Sequence, residues 1–427
     1  MRRRLHRSRY AFFSIKRWKR RLVFWGGAIL IGLIASLFAL LSEFADHQFQ
    51  QVVAVSAYIP LLLTPLGLMF IAYLTRRFFP GSQGSGIPQT IAALSMTETR
   101  LRDKVLSFRI AIGKVLLTFL GLLCGASIGR EGPTVHIGAS IMYALGRFAH
   151  FPRVDMERGL ILAGGAAGIA AAFNTPLAGI VFAIEEMSRS FEERVNGTLL
   201  TAVIFAGMVS LAILGHYHYF GSSTAAFTQL SDWLVVPICG IIGGLLGGSV
   251  AALLIAGSRR IAPYIQRYPY RVAASCGLIV ALCGLVSGGH SYGTGYIEAS
   301  QIINEQTDLG IWYPFMKILA TMASYFSGIP GGIFAPSLAA GAGLGADLAA
   351  LLSFAPANVV VLLGMVAYFC GAVQTPITAF VIIMEMTNNQ DILLPLMATA
   401  FIASNTSKLI CHEPIYRAMA TAFLHKQ

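Results

Sequence analysis

The sequence predicts an all-α integral membrane protein built from two related halves of many tilted, partly broken helices. Three observations predict it: a composition that only lipid can solvate, a ladder of apolar tracts interrupted by Gly and Pro, and an internal repeat. Of 427 residues, 56% are hydrophobic and 12% charged, and mean hydropathy is +0.69. Soluble domains carry about 25% charged residues, so this chain lacks the side chains to clothe a large soluble body.

A bilayer core needs roughly 20 apolar residues in a helix. Twelve candidate tracts run from Leu22–Leu41 to Ile392–Ala403, several too short to span and others long but broken. Leu160–Ile184 contains Gly164, Gly165, Gly168 and Pro176 and is expected to fold as two shorter helices. The 44 glycines suit close helix packing in lipid.

Charge is distributed as in a membrane protein. Ten of the 31 basic residues lie between Arg2 and Arg21, while the remainder holds 21 basic and 19 acidic residues. A basic block ahead of an apolar run places the N-terminus in the cytoplasm. Glu43–Gln50, without Lys or Arg, is expected as an external connection, and Arg76, Arg77 and Arg100–Arg109 as cytoplasmic ones. No basic domain follows the block, which argues against a nucleic-acid partner. The apolar run behind it is longer than a signal-peptide core of about 7–15 residues. The expected organisation is a basic segment 1–21, a first membrane repeat 22–215, a connection 216–232 and a second repeat 233–427, with no C-terminal regulatory domain. The six cysteines are scattered, without a CxxC pair or zinc spacing, so neither a metal nor a cofactor is expected.

The repeat is read directly. Thr175-Pro176-Leu177 to Glu185 recurs as Thr375-Pro376-Ile377 to Glu385, an offset of 200 positions. Gly125, Gly129, Pro133 and Gly138 match Gly328, Gly332, Pro336 and Gly341 at an offset of 203. Duplicated halves with interrupted apolar segments mark transporter folds whose site lies between the halves.

Three Gly/Pro segments interrupt the apolar chain: Gly84-Ser85-Gly86-Ile87-Pro88, Gly129-Arg130-Glu131-Gly132-Pro133 and Gly332-Ile333-Phe334-Ala335-Pro336. Pro is favoured where a helix begins, so each segment is expected to start a helix within the membrane. Helix starts offer unpaired N–H groups and partial positive charge, which bind anions. Each alone reads equally well as a packing kink. Three together, with a repeat behind them, read as an anion site.

In this order and wording the segments resemble the signature motifs of the CLC chloride channel and transporter family, over nearly the whole chain from about Leu22 to Ala422. The resemblance implies two inverted repeats per subunit in a homodimer, and chloride and protons as the transported ions, with the lipid bilayer as surroundings. It implies that the Ser85 hydroxyl, the Ile333 and Phe334 amides and the Tyr416 phenol coordinate chloride, and that Glu131 is gate and proton carrier. The plainer readings are a helix cap for Ser85, an interfacial anchor for Tyr416, and an ion pair with Arg130 for Glu131. Glu186 resembles the glutamate that marks proton-coupled exchangers, the alternative being a solvated helix end near Arg189; its neighbour Glu185, echoed by Glu385, reads as structural. The implied class is a prokaryotic proton-coupled chloride exchanger of the bacterial inner membrane, and the alternative is a passive chloride channel of the same fold. A fluoride-selective relative fits less well with Ser85 and Tyr416. His136, where family members often carry Gln, is either a hydrogen-bonded structural histidine or a titratable ring near the gate. No HExxH or Walker-type segment supports an enzyme.

Overall fold

The computed structural model describes residues 15–148, 154–188, 197–215, 219–221, 223–307 and 309–424. Most of the basic N-terminal block, Arg189 and part of the 216–232 connection lie outside these residues. Among them the chain is helical throughout. The first half comprises α1 (Ile15–Val55), α2 (Pro60–Arg77), α3 (Ile87–Ser95), α4 (Thr99–Val105), α5 (Phe108–Leu123), α6 (Glu131–Phe148), α7 (Val154–Phe173), α8 (Pro176–Phe182) and α9 (Gly197–Leu214). The second comprises α10 (Val235–Arg267), α11 (Pro269–Val286), α12 (Tyr296–Ile303), α13 (Tyr313–Phe326), α14 (Phe334–Leu351), α15 (Ala357–Val373), α16 (Pro376–Thr387), α17 (Leu393–Lys408) and α18 (Ile415–Leu424). Six helical stretches, Arg21–Val55 and Leu230–Arg267 among them, are long and apolar enough to cross a bilayer.

Exposed faces of these helices are apolar. Leu30, Leu33, Leu37 and Leu40 project outward from α1, as do Leu278, Ile279 and Leu282 from α11. A soluble protein avoids such continuous patches; against lipid they cost nothing. The interior is made by helices apolar all round, above all α15, in which every residue from Val359 to Val373 is buried.

Two local expectations meet the structure differently. Leu160–Ile184 does fold as two helices, α7 and α8, separated at Asn174 and Thr175, with Asn174 in the left-handed region at φ 56°. Glu43–Gln50 is not a loop: α1 continues through it to Val55, because Glu, Gln and Ala sustain a helix and no proline intervenes before Pro60. The turn sits at Ser56–Ile59, which also lacks Lys and Arg.

The internal repeat is a repeat of structure. Helices α6 and α14 are each 18 residues long and offset by 203 positions, α2 and α11 each 18 residues and offset by 209. Helix α6 packs on α7 as α14 packs on α15, and α9 lies against α1 and α7 as α17 lies against α10 and α15. Glycines set both crossings. A Cβ at Gly138 would fall 2.2 Å from the Gly164 carbonyl oxygen, and one at Gly364 2.4 Å from the Gly345 α-carbon. The halves are joined reciprocally. Gly129 and Gly332 each donate an N–H to the other's carbonyl at 2.7 Å in an antiparallel bridge, from which α6 and α14 depart in opposite senses. The Glu185 carboxylate accepts from the amides of Ile377 (3.0 Å) and Thr378 (2.7 Å), and Glu385 accepts from those of Leu177 (3.1 Å) and Ala178 (2.8 Å). Such i-to-j, j-to-i contacts are the signature of a two-fold relation, here between inverted repeats.

Each carboxylate thus occupies the positive end of a helix from the opposite half, where it satisfies amides that nothing within the helix can. Glu185→Ala and Glu385→Ala should each lower the stability of the detergent-solubilised protein by about 1–3 kcal/mol, the cost of orphaning buried donors. Thermal melts that leave both variants at the wild-type midpoint would contradict this linkage of the halves.

Candidate functional site

The three Gly/Pro segments meet at the centre of the fold. Besides the Gly129–Gly332 pair, Gly84 donates to Ile329 O (3.0 Å) and accepts from the Gly331 amide (3.3 Å). Each segment starts a helix as expected, with proline in the first turn: Pro88 in α3, Pro133 in α6 and Pro336 in α14. The first amides of a helix have no partner within it, so the amides of Ile333 and Phe334 at the head of α14 are available to a ligand. Gly86 caps α3 at φ 103°, a conformation costly for residues with a side chain.

Ser85 is buried, and its hydroxyl is so close to α6 that a Cβ at Gly132 would lie 2.1 Å from Ser85 Oγ. It does not cap its own helix. Tyr416, at the head of α18, is buried and its ring lies 5.6 Å from that of Phe334, so it is no interfacial anchor. Neither the Ser85 nor the Tyr416 hydroxyl has a hydrogen-bond partner within 3.5 Å. Buried hydroxyls are ordinarily paired. Two buried hydroxyls without a partner, beside helix amides that have none within the helix, are donors free for a small acceptor.

Glu131 opens α6 and is fully buried. It forms no ion pair with Arg130 within 4.0 Å; Arg130 reaches instead to Glu43 (3.6 Å), the Ala39 carbonyl (2.8 Å) and the Tyr219 hydroxyl. One Glu131 oxygen accepts from the Tyr296 phenol at 2.7 Å, and the other has no protein donor. Glu186 is also buried, at 3% exposure, on a single turn of π-helix (Ala183–Ser188) that continues α8. The adjacent pair diverges: Glu185 turns to the other half and Glu186 inward, so the solvated-helix-end reading does not hold. Turns of π-helix occur frequently at functional sites. His136 is a structural residue, its Nε2 2.8 Å from Val105 O and its Nδ1 3.5 Å from Ser140 Oγ.

Sequence reasoning missed two buried lysines and Tyr296. Lys114 Nζ donates to the carbonyls of Ser82 and Gly84, both at 2.9 Å, and thereby braces the loop that carries Ser85. Lys317, 203 positions on, does the same for Ser291, Tyr292 and Gly293. The signal was an ionisable residue inside an apolar tract, functional by default at membrane depth.

Residues 67–408 match the family described as "Voltage gated chloride channel", and the chain belongs to that family. Among its relatives are proteins named "H(+)/Cl(-) exchange transporter ClcA". That of Cronobacter sakazakii is 30% identical, with 93% of this chain and 91% of the relative covered, and that of Salmonella paratyphi B 31%, with 91% and 82% covered. A solved structure titled as a slow cyanobacterial Cl⁻/H⁺ antiporter superposes with a TM-score of 0.80 at 26% identity, over 95% of this chain and 99% of the other. A CLC-type fluoride/proton antiporter at 24% identity, also at 0.80 over 93% and 96%, shares the fold.

The two lysines predict different costs. Lys317 Nζ donates to three backbone carbonyls and Lys114 Nζ to two, and neither lysine forms an ion pair within 4.0 Å among the described residues. Each buried carbonyl left without its donor costs about 1–3 kcal/mol. Lys317→Met should therefore destabilise the protein more than Lys114→Met, read as the difference in denaturation midpoint between the two variants.

Proposed function

We propose that this protein exchanges chloride for protons across a bacterial inner membrane. The observation that carries the reading is the convergence of two unpaired buried hydroxyls, Ser85 and Tyr416, with the head of α14 and the Glu131 carboxylate. The exchange activity named for its relatives agrees with it. In this reading chloride accepts hydrogen bonds from Ser85, Tyr416 and the amides of Ile333 and Phe334. The supporting glycines and prolines (Gly84, Gly86, Pro88, Gly129, Gly132, Pro133, Gly332 and Pro336) let three helix starts approach one ion.

Glu131 competes with chloride for those donors as a carboxylate and withdraws once protonated, so one group serves as gate and proton carrier. Glu186 passes protons between Glu131 and the cytoplasmic side, and its burial keeps that route separate from the path of the anion. The protein works without a cofactor as a homodimer with a pathway in each subunit, formed by repeats 22–215 and 233–427, with its basic N-terminus in the cytoplasm.

Reconstituted in liposomes under a steep chloride gradient, the wild-type protein should drive protons uphill. Absence of proton movement would replace exchange by passive conduction. Glu131→Gln should pass chloride without moving protons, and uphill proton pumping by this variant would rule out Glu131 as the carrier. Glu186→Gln should stop proton transport while chloride still passes, whereas Glu185→Gln, altering a cap, should retain coupling. Bromide soaked into crystals should appear beside Ser85 and Tyr416; hydroxyls separated by more than about 10 Å around a bound ion are beyond hydrogen-bond reach and would refute the site.

A further inference from the structure

The second half contains a counterpart of the Ser85 loop. Gly293-Thr294-Gly295-Tyr296 follows Gly84-Ser85-Gly86-Ile87 at an offset of 209 positions, and Gly295 caps α12 in the left-handed region as Gly86 caps α3. Its hydroxyl residue is already engaged: Thr294 Oγ1 donates to Asp46 at 2.8 Å. The residue that reaches the centre is the next but one, Tyr296, where the first half has Ile87. Its phenol donates to Glu131 Oε1 at 2.7 Å, across 165 positions of chain.

The ring is clamped. It stacks on Tyr219 with centroids 4.9 Å apart and planes 27° from parallel, and the Arg130 guanidinium lies over both rings, 5.1 Å from Tyr219 and 5.5 Å from Tyr296. Arg130 is itself fixed by the Ala39 carbonyl, the Tyr219 hydroxyl and Glu43. A buried side chain so held has already lost its rotamer freedom, so its hydroxyl meets the carboxylate at little further entropic cost. While Glu131 is bonded there, it makes no hydrogen bond to the Ser85 or Tyr416 hydroxyl.

We propose that Tyr296 is a latch for the gate: a positioning residue whose hydroxyl holds the Glu131 carboxylate outside the Ser85–Tyr416 pair. The latch rests on the reading of Glu131 as competitor of the anion and adds the group that sets the balance of that competition. The hydrogen bond must break each time the carboxylate enters the ion site, and its strength decides how often the site is left to chloride.

Tyr296→Phe deletes the hydroxyl and keeps the ring, its stack on Tyr219 and its contact with Arg130. Released from the latch, Glu131 spends more time among the anion's donors, so bromide binding measured by isothermal titration calorimetry should weaken by about tenfold, the lower end of what a hydrogen bond to a charged group contributes. In a Glu131→Ala background there is no carboxylate to hold, and the same hydroxyl deletion should leave bromide affinity where Glu131→Ala alone sets it. This non-additivity separates a latch from packing, which would act in both backgrounds. Thermal melts of all four proteins serve as the folding control. An affinity for Tyr296→Phe within about twofold of wild type, or an equal loss in both backgrounds, overturns the latch. Wild-type protein that binds no bromide sinks the ion site itself, and the latch with it.

Discussion

Backbone amides and carbonyls at membrane depth have no water to pair with, and the three broken segments at the centre of this chain answer that constraint by pairing with one another. Gly129 bonds Gly332 in both directions, and Gly84 bonds Ile329 and Gly331. These bonds leave the carbonyls satisfied and the first helical amides free, so the means of keeping unwound backbone in a membrane also leaves the donors that the proposed anion site uses. Glycine makes this approach feasible. A Cβ at Gly129 would lie 2.3 Å from Glu131 Oε2, and one at Gly331 2.6 Å from the Ile128 side chain.

A two-fold scaffold by itself would produce two equivalent sites. Charge breaks the equivalence. Lys114 and Lys317 brace corresponding loops through carbonyls, but only in the second is the loop's hydroxyl, that of Thr294, bonded to a carboxylate, Asp46. The Ser85 hydroxyl is therefore left to a ligand, whereas the Thr294 hydroxyl is spent on Asp46. The halves share geometry and divide the chemistry.

The sequence carried most of this where backbone requirements dictate residue type. Helix starts at Pro88, Pro133 and Pro336, the break at Pro176, and the paired glycines at Gly138 and Gly341 are visible because few other residues fit. Glu185 was read as structural from its echo at Glu385, and its part as a cap for the opposite half followed only from the fold. The continuation of α1 through Glu43–Gln50 was hidden because polar residues look alike at a helix end and in a loop. Tyr296 escaped because its partner lies 165 positions away and tyrosines are common near membrane surfaces; the echo of Gly84-Ser85-Gly86 in Gly293-Thr294-Gly295 was the available signal. The convergence of Ser85, Tyr416 and Phe334 was legible only by resemblance, since nothing in spacing brings α18 to the head of α14.

A gate that is also a proton carrier needs two resting places of nearly equal free energy. Moving a two-state equilibrium from 1:99 to 99:1 takes about 5.5 kcal/mol, so a carboxylate held much more tightly in one place ceases to switch. In the proposed mechanism the heads of α3, α6 and α14 all favour negative charge at the ion site, and without a counterweight Glu131 would remain there and exclude the anion. A hydrogen bond to a charged group is worth about 1.5–3 kcal/mol, which is the size of counterweight such a balance requires. Tyr296 supplies one from the second half, on a ring that Arg130 and Tyr219 hold still, and Tyr416 supplies a competing hydroxyl from the end of the same half. Glu131 belongs to the first half and its hydrogen-bond donor Tyr296 to the second, so in the proposed mechanism the gate is set at the interface between the repeats.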